Sequence, residues 1–365
     1  MAVELIELQR IPTTGARGVE PFVVDGYELL AIPQLAKDVP GRVPRMTGGD
    51  SNTELLLLRR PADRGEDFEP WRTLPGPGGE DAEHFTIDGQ HYLAVASIRT
   101  GSDPYEFTTT SRIYRWQDGG FVPFQSVETF AAKQWKHWSI AGRNFLGLAQ
   151  GVVEPGHEQD IRPSVVFEWD GARFVPRQQI PSRWAYNWHR FRVGDIDFVA
   201  HADHLDPSVL YRWDGTGLVR HQVLAEGAGR AFASFEQDGE HYLVVACLQA
   251  PTRLLRWDST AFVDLQELSG LGGREVVVVR HAERLFVVRI NFVTGDRSAP
   301  ITALPSQIYE WTGDKLEVVA EFPTSGGTDA AVVTGAGAPQ LLVSNSLTAE
   351  QRFSTDTIVY SLKIS

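Results

Sequence analysis

Apolar and polar positions alternate along this chain in short runs, and the runs recur in a fixed order. Residues 79–87, from Gly79 through Asp81, Glu83 and Phe85 to Ile87, alternate with period two and predict a half-buried strand. Asp88-Gly89 is a hairpin turn, and Tyr92-Leu-Ala-Val-Ala96 predicts a second, more deeply buried strand. After a longer loop, Ser111 to Trp116 reads as a third strand, Asp118 to Gly120 as a turn and Phe121 to Gln125 as a fourth. The unit is four antiparallel strands joined in sequence order.

The order returns along the whole chain. Third strands end at Trp116, Trp169, Trp213, Trp257 and Trp311, with 44 residues from Trp169 to Trp213 and again from Trp213 to Trp257. First strands hold Phe22, Phe85, Trp138, Phe191, Phe235, Val278 and Val333 at one aligned place. A period of roughly 40–50 residues marks a supersecondary unit that cannot bury both its faces alone. Seven such units predict an all-β fold, a single seven-bladed β-propeller of four-stranded antiparallel blades spanning residues 1–365. The last repeat ends after its third strand, Ile358 to Leu362, while Leu5-Ile-Glu-Leu-Gln9 matches the missing fourth. Residues 3–11 are therefore expected to complete blade seven.

A formal charge of −13 disfavours nucleic acid and anionic membranes as partners. The lone Cys247, in the apolar run Val244-Val-Ala-Cys247, excludes disulfides and Cys-based zinc sites and reads as a core thiol. The N-terminal residues lack the basic start and apolar run of a secretory signal, and no stretch is apolar enough to predict a membrane span. The expectation is a cytoplasmic monomer.

The repeat resembles the EAR repeat, also called EPTP, of the leucine-rich glioma-inactivated proteins. The matching residues are Gly79, Asp81, Phe85, Ile87-Asp-Gly89 and Tyr92 to Ala96, then Ser111, Ile113-Tyr114 and Trp116, then Gly120-Phe121 and Phe124-Gln125. The resemblance spans residues 3–365. It implies a seven-bladed propeller that binds partner proteins and a calcium ion in the channel. Around the ring, the Asp81 position reads Gly18, Asp81, Gln134, Asn187, Ala231, Glu275, Asp329, and two residues on it reads Glu20, Glu83, Lys136, His189, Ala233, Val277, Ala331. Glu20, Asp81, Glu83 and Gln134 gather side-chain oxygens on blades one to three. Since calcium takes roughly six to eight oxygens, these are the candidate ligands of a structural calcium. No organic cofactor is expected.

Blades three and four break the repeat. They read Gln134-Trp135-Lys136-His137-Trp138 and Trp184-Ala-Tyr186-Asn187-Trp188-His189-Arg190. His201 stands where other repeats carry Ile32, Val95, Leu148, Val245 and Val288, and Asp203 follows on the same face. A polar group at a core position costs free energy unless it is paired, and repeats break their rules most often at functional sites. Lys136, crowded by His189, is expected to have a lowered pKa and to act as base or nucleophile, with Glu83 or Tyr186 as acid and His201–Asp203 as an oriented pair. Trp135, His137, Trp138, Trp184, Trp188 and Arg190 would form the wall for a substrate. The expected function is acid/base chemistry on a small organic molecule at the channel mouth, of cyclase, isomerase or lyase type. The alternative is a non-catalytic propeller that binds a protein partner and holds calcium. Each residue also has a plain structural reading, as packing aromatic or satisfied polar pair. Insertions at 33–53, 98–110 and 151–162, the last with His157 and Arg162, share one repeat position and are expected to rim one face.

Overall fold

The computed structural model describes residues 3–61, 67–153, 159, 161–268, 270–296, 298–334 and 337–364; His157 lies outside them. Seven four-stranded antiparallel sheets account for the architecture, with two short ribbons added in loops. Their inner strands are Glu20–Val24, Gly79–Ile87, Ala132–Ile140, Ala185–Val193, Gly229–Gln237, Gly273–His281 and Gly327–Val333 for blades one to seven. Each inner strand touches the next, and the seventh touches the first, so the ring is closed. Val3–Thr14 pairs antiparallel with Ser354–Ile364 and supplies the fourth strand of blade seven. Both chain ends are thereby tied into one sheet.

The cores lie between blades, which is why no repeat is stable alone. One core joins Phe85, Tyr92 and Ala94 of blade two to Leu146, Leu148 and Phe167 of blade three. The third-strand Trp packs edge-on against the Phe opening the fourth strand, as in Trp116 on Phe121 at 5.1 Å between ring centres.

The Gln closing the Phe-x-x-x-Gln pattern is a fastener between blades. The Gln125 amide donates to the Phe174 carbonyl at 2.8 Å and accepts from the Phe174 N–H at 2.9 Å. Gln178 does the same to Leu218, Gln222 to Phe262 and Gln266 to Leu316. Gln9, in the closing strand, brackets Phe68 in the same way. A primary amide matches a peptide group in donor and acceptor, so one side chain satisfies two edge groups of the neighbouring blade.

Register corrects two alignments in blade six. Val279 faces Phe286 as Phe85 faces Tyr92, so the position that matches Phe85 in the repeat is Val279 and not Val278. The His201 position, opposite Trp188, is matched in blade six by Arg289 opposite Val276, and not by Val288.

One feature of the inner strands shapes the channel. In blades two to seven the register slips by one near the start of the inner strand, leaving Glu80, Lys133, Tyr186, Arg230, Arg274 and Thr328 as extra, unpaired residues. Such a β-bulge re-aims the extra side chain out of the alternating pattern. The corresponding residue in blade one is Arg17.

Candidate functional site: the channel and its mouth

The inner strand of each blade is a sheet edge with free N–H groups facing the next blade. Side-chain oxygens satisfy them. Glu20 accepts from the His84 N–H at 3.0 Å, Asp81 from Trp135 at 2.9 Å, Gln134 from Trp188 at 2.6 Å and Asp329 from Val19 at 2.8 Å. Glu83 takes the His137 N–H at 3.0 Å on one oxygen and the Lys136 ammonium at 2.8 Å on the other. These bonds run from blade seven through one and two to four, and form an acidic waist along half the channel. Ala231, Ala233, Val277 and Ala331 leave much of the other half apolar.

Burial raises the waist carboxyls. Glu20 and Asp81 are pushed well above the usual carboxylate range by desolvation and then by Glu83. Desolvation and the neighbouring Asp329 take Glu275 to about 8, and burial takes Asp329 to about 6.

The expected lowered pKa of Lys136 is corrected. Burial works in that direction, but Glu83, Glu20 and Asp81 outweigh it and hold the ammonium protonated, above its usual range. A lysine so held is a poor base.

The other predicted catalytic residues are separately engaged. His189 hydrogen-bonds Ser234 Oγ at 2.9 Å and is lowered to about 4 by burial and Lys136. His201 bonds Ser164 Oγ at 3.0 Å, under the Trp188 ring, and burial takes it to about 3. Arg289 makes the equivalent bond to Thr252 Oγ1 at 3.0 Å, so the polar core position is a recurring strut. The His201–Asp203 pair does not form. Asp203 instead accepts the N–H groups of Arg183, Trp184, Leu205 and Asp206 and shapes the turn.

The aromatic wall is mostly core. Trp135, Trp138 and Trp188 are 0, 3 and 1 % exposed. Gly147 makes room for the pair Trp138 and Trp188: a Cβ there would lie 2.6 Å from the Trp138 ring. His137 stacks on Phe85 at 4.6 Å, and Arg190 is paired with Asp197. Only Tyr186 and Trp184 of the predicted set line an open cavity.

That cavity, of about 760 Å³, lies at the mouth where the inner strands begin. The bulge residues Arg17, Glu80, Lys133, Tyr186, Arg230 and Arg274 line it. Glu80 reaches Arg17 at 3.5 Å and Arg274 at 3.8 Å. Tyr186 lies under Arg230, whose guanidinium carbon is 3.9 Å from the ring centre, and near Arg274 at 4.8 Å and Lys133 at 5.5 Å. Burial alone would raise the Tyr186 phenol, but Arg230, Lys133 and Arg274 bring it below its ordinary value.

The inserted loops rim this mouth, as their shared repeat position suggested. Met46, Ile98, Phe107, Val152, Trp184 and Phe292 wall the cavity. Arg99 clamps the first two loops, donating to Ser51 Oγ and to the carbonyls of Thr47 and Gly48 and stacking on Tyr105. The loop of blade six, with its ribbon Thr294–Asp296 and Ala299–Ile301, was not foreseen as part of the rim. Nor was the bulge row. Read as plain alternation, the side chains just before the Asp81 position belong to the other strand face; their run of cations around the ring was the available signal.

Calcium in the waist would need these side-chain oxygens to converge. One oxygen each of Glu20, Asp81, Glu83 and Gln134 is instead turned to a separate backbone N–H group, and among the described residues no three acidic or histidine side chains converge for a metal. The Lys136 ammonium already supplies a cation to these carboxylates. As arranged, the residues do not fit a resident divalent ion.

Closed ring, bulged inner strands and repeated Gln fasteners define a seven-bladed propeller built from one duplicated unit. The EPTP domain profile matches residues 67–117, 120–170, 173–214 and 217–258, just over half the chain, and the protein belongs to the EPTP domain family. Each match opens in the fourth strand of one blade and runs through three strands of the next, so sequence repeat and blade are offset by one strand. The chain is similar to the human thrombospondin-type laminin G domain and EAR repeat-containing protein, 31% identical over 142 residues, 38% of this chain and 20% of that protein. It is also similar to mouse leucine-rich repeat LGI family member 3, 25% identical over 243 residues, 54% of this chain and 39% of the relative. The matched regions thus span less than half of either relative.

Proposed function

We propose that this protein is a non-catalytic interaction propeller that docks a partner protein on the mouth-side rim. The observation that carries the reading is the rim itself. Val43, Leu271 and Ile301 stand 79, 51 and 54 % exposed on three of the loops at that face. Large apolar side chains held out by loops on a rigid scaffold are a common form of interaction surface. Membership of the EPTP family supports the same reading. So does the commitment of Lys136, Glu83, His189 and His201 to bonds between or within blades, which leaves no proton carrier poised toward the cavity among them.

The test starts with proximity labelling and ends with reconstitution from purified components. The expected result is a complex of micromolar or tighter affinity that Leu271→Asp and Ile301→Asp weaken by about tenfold or more while Lys136→Met leaves it intact. A turnover of any small molecule that folded Lys136→Met or His189→Gln abolishes would overturn the reading in favour of acid/base chemistry.

A further inference from the structure

We propose that the channel mouth is a binding site for a small organic anion, with its carboxylate or phosphate held by Lys133 and Arg230 and its apolar body against Phe107, Trp184 and Phe292. This does not rest on the interaction reading, because an anion in the mouth and a protein on the rim are separable.

The bulge row places four cations, Arg17, Lys133, Arg230 and Arg274, around one carboxylate, Glu80, and the rim loops add Arg99, Asp103 and Asp296, so cations outnumber carboxylates in the lining of a chain whose formal charge is −13. Glu80 pairs with Arg17 and Arg274 and acts on Lys133 from farther off. Lys133 and Arg230, only 5 and 4 % exposed, make no ion pair with a carboxylate among the described residues; Glu80 and Asp203 respectively act on them only at longer range. The Lys133 ammonium has no hydrogen-bond acceptor among the described residues; its neighbours are the rings of Trp184 at 6.0 Å and Tyr186 at 5.5 Å. Arg230 donates to the Gly229 carbonyl at 3.0 Å and lies over Tyr186. A buried cation without a directly bonded counter-ion is costly, and an acidic ligand group reduces that cost.

The waist does little to offset these cations. Burial raises its carboxyls, Glu275 to about 8, which reduces their negative charge near neutral pH. The strain shows on the cations too: desolvation lowers Lys133 and takes Arg230 down to about 10.

A β-bulge is a device for re-aiming a side chain, and here it recurs at one level in blades two to seven. It sets Lys133, Tyr186 and Arg230 side by side on blades three, four and five, with Glu80 beside Lys133 on blade two. The Tyr186 hydroxyl adds a neutral donor beside two charged ones. Glu80 would repel a second negative group on its side, which selects ligands with one acidic end. Small-molecule sites run roughly 300–1,000 Å³, and the mouth, at about 760 Å³, lies in that range with mainly apolar upper walls. Guanidinium and ammonium together suit carboxylate or phosphate through charge-assisted bonds.

The experiment is calorimetric titration of the full chain with phenyl phosphate, benzoate, neutral benzamide and an end-capped Glu-Phe dipeptide. Phenyl phosphate and benzoate are expected to bind at least about tenfold tighter than benzamide and to weaken as salt rises. Lys133→Met and Arg230→Gln should each weaken the anions by about tenfold or more. The melting temperature should hold or rise in both, because a buried cation with no directly bonded carboxylate is a ligand's partner and not a fold's. If Arg230→Gln fails to fold, Lys133→Met alone decides. No binding of either anion up to about 10 mM, or binding of the dipeptide alone, overturns the small-anion site. A lower melting temperature in Lys133→Met with anion affinity unchanged makes the lysine structural and overturns it equally.

Discussion

Around the outside of the ring, Gln125, Gln178, Gln222 and Gln266 make the same two hydrogen bonds to the next blade, with lengths within 2.7–2.9 Å. Along the channel, the seven aligned waist positions meet the same need with different groups: a carboxylate at Asp81 and Asp329, an amide at Gln134, and no polar side chain at Gly18 or Ala231. Both regions face one problem, the unpaired backbone of a strand edge. The outer solution is a repeat element, copied with the blade. The inner one differs position by position because all seven side chains share one narrow space, where seven identical carboxylates would repel each other. A channel cannot be seven-fold in charge, so its asymmetry is required by electrostatics before any ligand is considered.

Lys136→Met attacks the inner solution at its centre. The substitution leaves Glu83 without its ammonium, beside Glu20 and Asp81. Breaking a fully buried pair costs about 3–5 kcal/mol, but Lys136 keeps 38 % of its side-chain surface accessible, so a loss of about 2 kcal/mol is expected in chemical denaturation at pH 7. Lys136→Met with Glu83→Gln should recover about half of it, since the repulsion goes with the charge. A calcium titration of the unmodified chain sharpens the point. If Lys136 is the waist's cation, millimolar calcium leaves the melting temperature in place; a rise of several degrees would mean that the waist rearranges around a bound ion.

Gln178→Ala probes the outer solution. It removes two bonds and leaves the N–H and carbonyl of Leu218 unpaired, at a cost of about 1–2 kcal/mol. Because the fastener is a repeated part, Gln125→Ala and Gln222→Ala should cost the same within about 0.5 kcal/mol, and pairs of them should add. Widely different values at the three positions would break the contrast between a copied circumference and an individual channel.

How much of this could be read from the chain follows the same division. The propeller, its blade count, the Gln of the Phe-x-x-x-Gln pattern and the N-terminal closing strand were legible, because each recurs from blade to blade or is enforced by the need to leave no edge. Lys136, Glu83, Tyr186 and Trp184 were correctly placed in or near the channel, but only Tyr186 and Trp184 reached the mouth. Trp138 and Trp188 do not form a wall because Gly147, one residue with no side chain, decides that they pack inward, and Trp135 is taken up by the core between blades two and three, against Phe167. The cations of the mouth escaped notice for a different reason. A bulge adds one residue to a period of two, so Lys133, Arg230 and Arg274 sit on the face that alternation assigns to their neighbours.

The pH dependence of stability separates the two inner sets of groups most finely. Glu275 has a folded pKa of about 8 against an ordinary 4.5, so the folded state holds the extra proton; that stability is complete below about 4.5 and is lost as pH rises through 8. His84, His189 and His201 are lowered to about 4, 4 and 3 from 6.5, so they favour the fold above 6.5 and withdraw that support as pH falls toward 4. The two trends oppose each other between 4.5 and 6.5. Between 6.5 and 8 the histidines are neutral in both states, and Glu275 acts with the other raised waist carboxyls. Unfolding free energy should therefore pass through a maximum near pH 6–7 and fall on the alkaline side by an amount on the order of 1 kcal/mol by pH 8, less than a single unshared shift would give because the waist carboxyls titrate together. Glu275→Gln should flatten that alkaline limb and steepen the acid limb between pH 4.5 and 6.5, where Glu275 opposes the histidines. An alkaline limb that survives Glu275→Gln at full slope would assign it to Glu20 and Asp81 instead, and would place the charge limit of the channel on the stapled half of the ring.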